Sequence, residues 1–436
     1  LEEAKKSLDK AIQLKPNMAE LYSNKGMILK DLGQLKEAEI SLIKAIKLKP
    51  NYANAYSNLG LVFIDIGKLK EAEISVRKAI ELKRDFTDAY LNLGNILKDL
   101  GKLKEAEISV RKAIELKPSY SDAFFNLSII QMFQDDYVSG WRNYESRFSI
   151  KKPVELHANP KIKKWDGKLM KSNEKLLIIS EQGLGDTIHF MRYIPYLKEQ
   201  GFQLLFCAQK SLHGLIKESN IHTNPMTPEE ANQVKNGKYF PLLSLPFHFS
   251  LTQNNSIVSE PYISTKKEII EKWEHFLYKE KKPVIGISWQ GNPKAEKGSV
   301  IGRSIPLEAF SEIAKLDNFS FLSLQKGLGS EQLKECLFKD KFVECQDLIS
   351  DSSDFLDTAA QIQNCDLIIT TDSCVAHLAA GMGKPTWVLL KACLTWRYGL
   401  KKTTFWYPSM KLFHQKEINN WKEVMSRVAL ELKLLF

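Results

Sequence analysis

A period of 34 residues runs through the first third of this 436-residue chain and restricts its fold more than any other feature. Ala11-Ile-Gln-Leu-Lys-Pro16, Ala45-Ile-Lys-Leu-Lys-Pro50, Ala79-Ile-Glu-Leu-Lys-Arg84 and Ala113-Ile-Glu-Leu-Lys-Pro118 recur at that spacing, and Leu-Lys-Glu-Ala-Glu begins at 35, 69 and 103. A unit of this length holds a pair of helices, which cannot bury its apolar faces alone; stacking neighbouring units completes the core. Small residues keep the same register, at Gly26, Gly60 and Gly94, at Ala38, Ala72 and Ala106, and at Ala45, Ala79 and Ala113. At such positions paired helices approach closely.

With Tyr22, Tyr56, Tyr90 and Phe124 in register too, these positions resemble those of tetratricopeptide repeats, and residues 1–150 are read as an α-solenoid. A half repeat opens the chain at Ala4 and Ala11, so further repeats are expected to precede Leu1 in a longer protein. The last unit departs from the pattern, with Ser128 in place of glycine and Gly140 and Arg147 in place of alanine, as expected of a terminal repeat that packs on something else. Asn24, Asn58, Asn92 and Asn126 recur just before the glycine position, on the first helix of each pair, which in such solenoids lines the concave surface. A primary amide offers two donors and an acceptor, so a ladder of them can hold an extended peptide backbone without reading its side chains. The ladder resembles that in the repeats of O-GlcNAc transferase, where it grips protein substrates. The same amides can instead bridge neighbouring repeats.

Composition excludes several classes of function. The formal net charge is +10, but the lysines are interleaved with glutamate at nearly every helical turn rather than gathered in a stripe, which argues against a nucleic-acid binder. No apolar run approaches the ~20 residues that span a bilayer, and the first residues given carry no signal-peptide pattern. Cys207, Cys336, Cys345, Cys365, Cys374 and Cys393 form no Cys-x-x-Cys pair, against both a zinc site and a disulfide framework, and the expected compartment is the reducing cytoplasm.

Residues 151–172 are irregular and read as a connecting segment. From 173 onward the chain alternates apolar runs of strand length with helical patterns, the signature of parallel sheets with ligands at the strands' carboxyl ends. Two Rossmann-like lobes are expected, 173–265 and 266–436, the second closing with a helix from Trp421. In the first lobe a strand from Leu176 runs into Gly183 and Gly185 and then a helix, a turn suited to close approach of a ligand, with Asp186 on its rim. In the second, an apolar strand ends at Thr371 and a helix rich in small residues succeeds it, so Ser373, Cys374 and Val375 present backbone N–H groups at a helix start, a ready anion site. Asp372 is expected to orient that loop. His377, on the first turn, is either a buried histidine bonded to a neighbour or a ligand contact.

Glu181-Gln-Gly-Leu-Gly-Asp186, Ser288-Trp-Gln-Gly-Asn292, Arg303-Ser-Ile-Pro-Leu307, Ser323-Leu-Gln-Lys-Gly327 and Thr371-Asp-Ser-Cys-Val-Ala-His-Leu-Ala-Ala380 resemble the motif series of bacterial tetratricopeptide proteins with a heptosyltransferase-like domain, glycosyltransferase family 9. The resemblance covers about 165–430. It implies a GT-B fold with the site in the cleft between its lobes, and inverting transfer from a nucleotide-sugar, itself the donor substrate, with no cofactor. It places Asp186 as general base, and Asp372, Ser373, Cys374, Val375 and His377 in the donor-phosphate loop. Arg303 stands where the family has a lysine. The first lobe is short, which implies an acceptor unlike that of a lipid-core heptosyltransferase. No Asp-x-Asp triplet occurs, so the transfer is expected to be metal-independent. Trp289, Asn292, Gln325 and Lys326, at strand ends, are further candidates for nucleotide or sugar contacts. Trp396, Arg397, Trp406, Tyr407 and Pro408 read as core packing. The sequence therefore points to a solenoid joined to a transferase whose acceptor is a protein held by the repeats. A lipid or polysaccharide acceptor and an inactive binding scaffold are the alternatives, and a homo-oligomer stays open.

Overall fold

The computed structural model describes residues 1–168, 170, 174–257, 260–293, 296, 302–348, 354–392, 395–399, 401–417 and 420–436. Cys393 and the 172/173 boundary lie outside the described residues. Contacts divide the chain into two units, Leu1–Pro153 and Val154–Phe436.

The first unit is a row of antiparallel helices, α1 (Glu2–Leu14), α2 (Ala19–Asp31), α3 (Leu35–Leu48), α4 (Ala53–Ile66), α5 (Leu69–Leu82), α6 (Thr87–Asp99), α7 (Leu103–Leu116), α8 (Ser121–Phe133) and α9 (Tyr137–Tyr144). Within a pair the turn passes through Gly33, Gly67 or Gly101, all at positive φ, where a side chain would be strained. Between pairs the helix ends on Lys15, Lys49, Lys83 or Lys117, each leaving helical geometry in the same way. The second helix of a pair buries one stripe, Ala38, Ser41, Leu42 and Ala45 in α3 and Ala72, Ser75, Val76 and Ala79 in α5, at helical spacing. The glycines set how closely the pair can pack. A Cβ on Gly26, Gly60 or Gly94 would lie 2.6, 2.4 or 2.3 Å from Leu42, Val76 or Val110. In the last pair the roles are exchanged: Ser128 occupies the glycine position, and a Cβ on Gly140 of the facing helix would meet the Ser128 carbonyl at 3.3 Å, the distance at which Gly94 meets that of Ala106. The apparent degeneration keeps the close crossing by moving the glycine across it. Arg147, at an alanine position, is fully buried, donating to Glu145 at 2.7 Å with Tyr144 and Phe148 against its guanidinium.

The second unit holds two sheets. Strands β1 (Lys163–Lys164), β2 (Lys175–Ile179), β3 (Gln203–Cys207) and β4 (Lys238–Pro241) form the first, parallel throughout, in the order β1-β4-β2-β3. Helices α10 (Leu184–Phe190), α11 (Tyr193–Glu199), α12 (His213–Glu218), α13 (Pro228–Asn232) and α14 (Leu245–His248) accompany it. The second sheet has β5 (Val284–Ser288), β6 (Ser320–Ser323), β7 (Leu367–Thr371), β8 (Thr386–Leu390), β9 (Thr403–Thr404) and β10 (Tyr407–His414), in the order β6-β5-β7-β8-β10-β9. Only the β9–β10 pair among these is antiparallel. Its helices are α15 (Lys267–Leu277), α16 (Ser311–Ala314), α17 (Phe355–Gln363), α18 (Cys374–Gly381) and α19 (Trp421–Leu435). Strands β5, β7 and β8 are buried along their whole length, which is why their sequences are apolar runs rather than alternations. Two features depart from the sequence expectation. The segment read as a connector contributes β1, and Trp165 within it is buried against Phe202 and Phe240. The aromatic stretch ending at Pro408 leads into β10, hidden in the sequence by its proline and by Lys411.

Candidate functional site

Each sheet reverses its winding once. In the first, β3 lies on one side of β2 and β4 on the other; in the second, β6 and β7 flank β5 in the same way. Crevices outside the carboxyl ends of such strands are where open parallel sheets bind ligands. The chain leaving β2 is the Glu181–Asp186 loop, and the chain leaving β7 is Asp372–Ser373 and then α18. The two loops meet. A Cβ on Gly185 would lie 3.1 Å from the His377 ring and 3.4 Å from Cys374 Cα, so this glycine permits the start of α10 to rest on the start of α18.

At that meeting Asp186 has both oxygens engaged. One accepts from the Gly183 backbone N–H at 2.9 Å, closing the first turn of α10, and the other accepts from the guanidinium of Arg397. Asp372 is partly buried close by. Burial raises its pKa above the ordinary carboxylate value, Arg397 and Arg303 pull it back, and the like charge of Asp186 adds to the rise. Asp372 thus lies within the fields of both guanidinium groups and of the Asp186 carboxylate. Arg303 is fastened by its backbone, whose carbonyl accepts from the Thr371 hydroxyl; its side chain lies against Gly291 and 3.7 Å from Glu296. Ser373 caps α18 with extended backbone, its hydroxyl 3.2 Å from that of Thr370, and Val375 is buried.

Behind the meeting point is a packed aromatic layer. His377 is buried, with Nδ1 3.1 Å from the Tyr407 hydroxyl, and its ring stacks on His189 at 5.0 Å. Burial pushes both histidines well below the ordinary value, assisted by Arg192 and Arg397. Arg192 donates to the His189 and Trp406 carbonyls at 2.9 and 2.8 Å and is sandwiched between the Tyr262 and Tyr407 rings. Of the two sequence readings of His377, its place is that of a buried histidine bonded to a neighbour. The loop after β2 is pinned from the former connector: the His157 ring lies 2.8 Å from the Ser180 hydroxyl and 3.1 Å from the Gln182 carbonyl. The sequence reading missed His157 and left Arg397 in the packing layer. An arginine inside an otherwise aromatic run was the available signal for the second; His157 carried none.

The further candidates lie elsewhere. Trp289 is fully buried in the core of the second sheet and donates to the Gly329 carbonyl, so it does not face the crevice. Gln325 spends its amide on the chain leaving β5, accepting from Ser288, Trp289 and Gln290 and donating to the Gln290 and Leu328 carbonyls. Lys326 is paired with Asp357 at 3.6 Å, and Asn292 is exposed. In the solenoid the Asn58 amide donates to Ser23 at 3.1 Å and that of Asn92 to Ser57 at 3.4 Å, so these two bridge neighbouring repeats; Asn24 is exposed and Asn126 partly buried.

Residues 26–67 match the TPR repeat family, and residues 53–86 and 87–120 match the tetratricopeptide repeat family. Residues 26–120 of the first unit are therefore tetratricopeptide repeats. Protein FlbA of Caulobacter vibrioides is 24% identical over 325 residues, 67% of this chain and 52% of its own length, so the chain spans about half of that relative. Among solved structures, the crystal structure of MamA is 24% identical, covering 33% of this chain and 83% of its own, with a TM-score of 0.30. The first TPR of Spaghetti (RPAP3) bound to an HSP90 peptide is 26% identical, covering 26% of this chain and 90% of its own, with a TM-score of 0.26. No helix among the described residues is long and apolar enough to cross a membrane.

Proposed function

We propose that the second unit is a GT-B glycosyltransferase that moves a sugar from a nucleotide-sugar to an acceptor with inversion and without a metal, and that the solenoid holds a protein as that acceptor. One observation supports this reading above the others: the loops at the switch points of two largely parallel sheets converge, bringing a carboxylate from one against a helix start and the Arg397 guanidinium from the other. The reaction needs that set. The acceptor oxygen attacks the anomeric carbon, its proton passes to Asp186, and the bond from that carbon to the diphosphate oxygen breaks. The negative charge left on the diphosphate is met by Arg303 and the N–H groups opening α18. One feature favours an inactive scaffold instead: Asp186 is tied in an ion pair with Arg397, which holds it in the charged form.

The test is intact-mass analysis of protein acceptors incubated with the chain and a panel of nucleotide-sugars in EDTA. Wild type should add one glycosyl mass, and Asp186→Asn should slow that addition by about 10²–10⁴. A chain that neither transfers nor hydrolyses any sugar in the panel is a scaffold. Transfer only to a lipid or polysaccharide would leave the repeats a docking role.

A further inference from the structure

The contact that occupies Asp186 also suggests how it is released. We propose that Arg397 is a movable arm with two alternative partners: it pairs with Asp186, and a diphosphate competes for the guanidinium and frees the carboxylate. The identity of the diphosphate as part of a nucleotide-sugar rests on the glycosyl-transfer reading; the exchange of partners does not.

Arg397 donates to the Asp186 oxygen that the Gly183 N–H leaves open, so a proton taken up by the carboxylate would neutralise it and weaken a charge-assisted bond. The pair is mostly withdrawn from water, with 15% of the arginine side chain and 18% of the aspartate exposed, which strengthens it yet leaves an edge that a ligand can reach. Asp372 lies within the field of the same guanidinium, so Arg397 acts on carboxylates of both loops. Its guanidinium carbon lies 4.3 Å from the centre of the Trp396 ring, a cation–π support for the planar fork. A diphosphate offers more charge and more oxygens than one carboxylate, and the arginine fork fits phosphate in bidentate fashion. Because Gly185 brings the two helix starts into contact, a ligand at the start of α18 arrives beside this pair. Arg303 is less able to play the part, being tied at its carbonyl to Thr371 and lying near Glu296.

Calorimetry with inorganic pyrophosphate on the full chain in EDTA tests the exchange through a double-mutant cycle. Arg397→Gln should weaken binding by about ten- to a hundredfold. Asp186→Asn removes the competitor for the arm and should tighten binding by about three- to tenfold, and that gain should vanish in Asp186→Asn combined with Arg397→Gln. Arg397→Lys, which keeps the charge and loses the fork, should fall between wild type and Arg397→Gln; with melting curves it separates lost binding from lost folding. An unchanged affinity in Arg397→Gln overturns the proposal. So does a gain from Asp186→Asn that persists without Arg397, because plain repulsion of the anion would then explain it, and so does absence of pyrophosphate binding by wild type. An intact cycle in a chain that transfers no sugar would leave the arm standing and remove the glycosyl-transfer reading.

Discussion

Gly94 in the solenoid and Gly185 in the second unit both stand where a Cβ would press on a neighbour, but the neighbours differ in kind. Gly94 meets Val110 on the very next helix, whereas Gly185 meets Cys374 and His377 on α18, the helix that follows a strand of the other sheet. The solenoid solves its packing locally and repeats the solution, so a lost contact is felt mainly by adjoining repeats. The second unit solves its packing once, through contacts distant in sequence, and gathers its titratable and aromatic side chains where those contacts converge. All eight histidines and seven of the eight tryptophans come after Pro153. Repetition yields a surface that can be extended; convergence yields an enclosed volume in which charges are perturbed.

Acid should separate the two units most. His189 and His377 are held neutral by burial, with pKa values below those of the unfolded chain. The unfolded state therefore binds protons that the folded state refuses once pH falls below ~6.5, and the second unit loses up to about 1.4 kcal/mol per pH unit for each histidine. Above that pH this contribution is complete and constant. The solenoid has no histidine to titrate. Tryptophan emission, reporting chiefly the second unit, should show an unfolding midpoint that drops between pH 7 and 5 while the helical signal of the solenoid holds. His189→Phe should lessen the drop. Parallel loss of both signals would break the comparison.

A smaller effect tests local packing in the solenoid. Gly94→Ala forces a methyl group onto Val110 and should cost about 1–3 kcal/mol by thermal unfolding. Gly101→Ala meets open space and is penalised only by its positive φ of 75°, about 1 kcal/mol. Equal losses would mean that the close crossing does not set the repeat.

The smallest effect per residue concerns the asparagines. Replacing Asn58, Asn92 and Asn126 by Ala removes the bridges to Ser23 and Ser57, worth about 0.5–1.5 kcal/mol each. If the ladder also holds an acceptor backbone, glycosylation of a protein should fall by about an order of magnitude. Hydrolysis of the nucleotide-sugar by water should hardly change. A fall in melting temperature with both reactions reduced alike would assign these amides to bridging alone.

The sequence by itself determined the solenoid almost completely. Its helix pairs, glycine turns and small-residue crossings depend on neighbours within one period, so the pattern that packs them is written in the chain at the same spacing. It also determined the apolar strands of the second unit and their glycine loops, because a strand buried on both faces must be apolar throughout. It could not show β10, whose proline and lysine mask a strand stabilised by pairing with β8. Nor could it show that Gln325 is consumed by the chain beyond β5 or that Trp289 is core, since hydrogen-bond partners and burial are properties of what surrounds a residue. The tertiary structure alone decided that Asp186 and Arg397, far apart in sequence, form one ion pair, because only the folds of both sheets bring their loops together and withdraw the two side chains from most of the water.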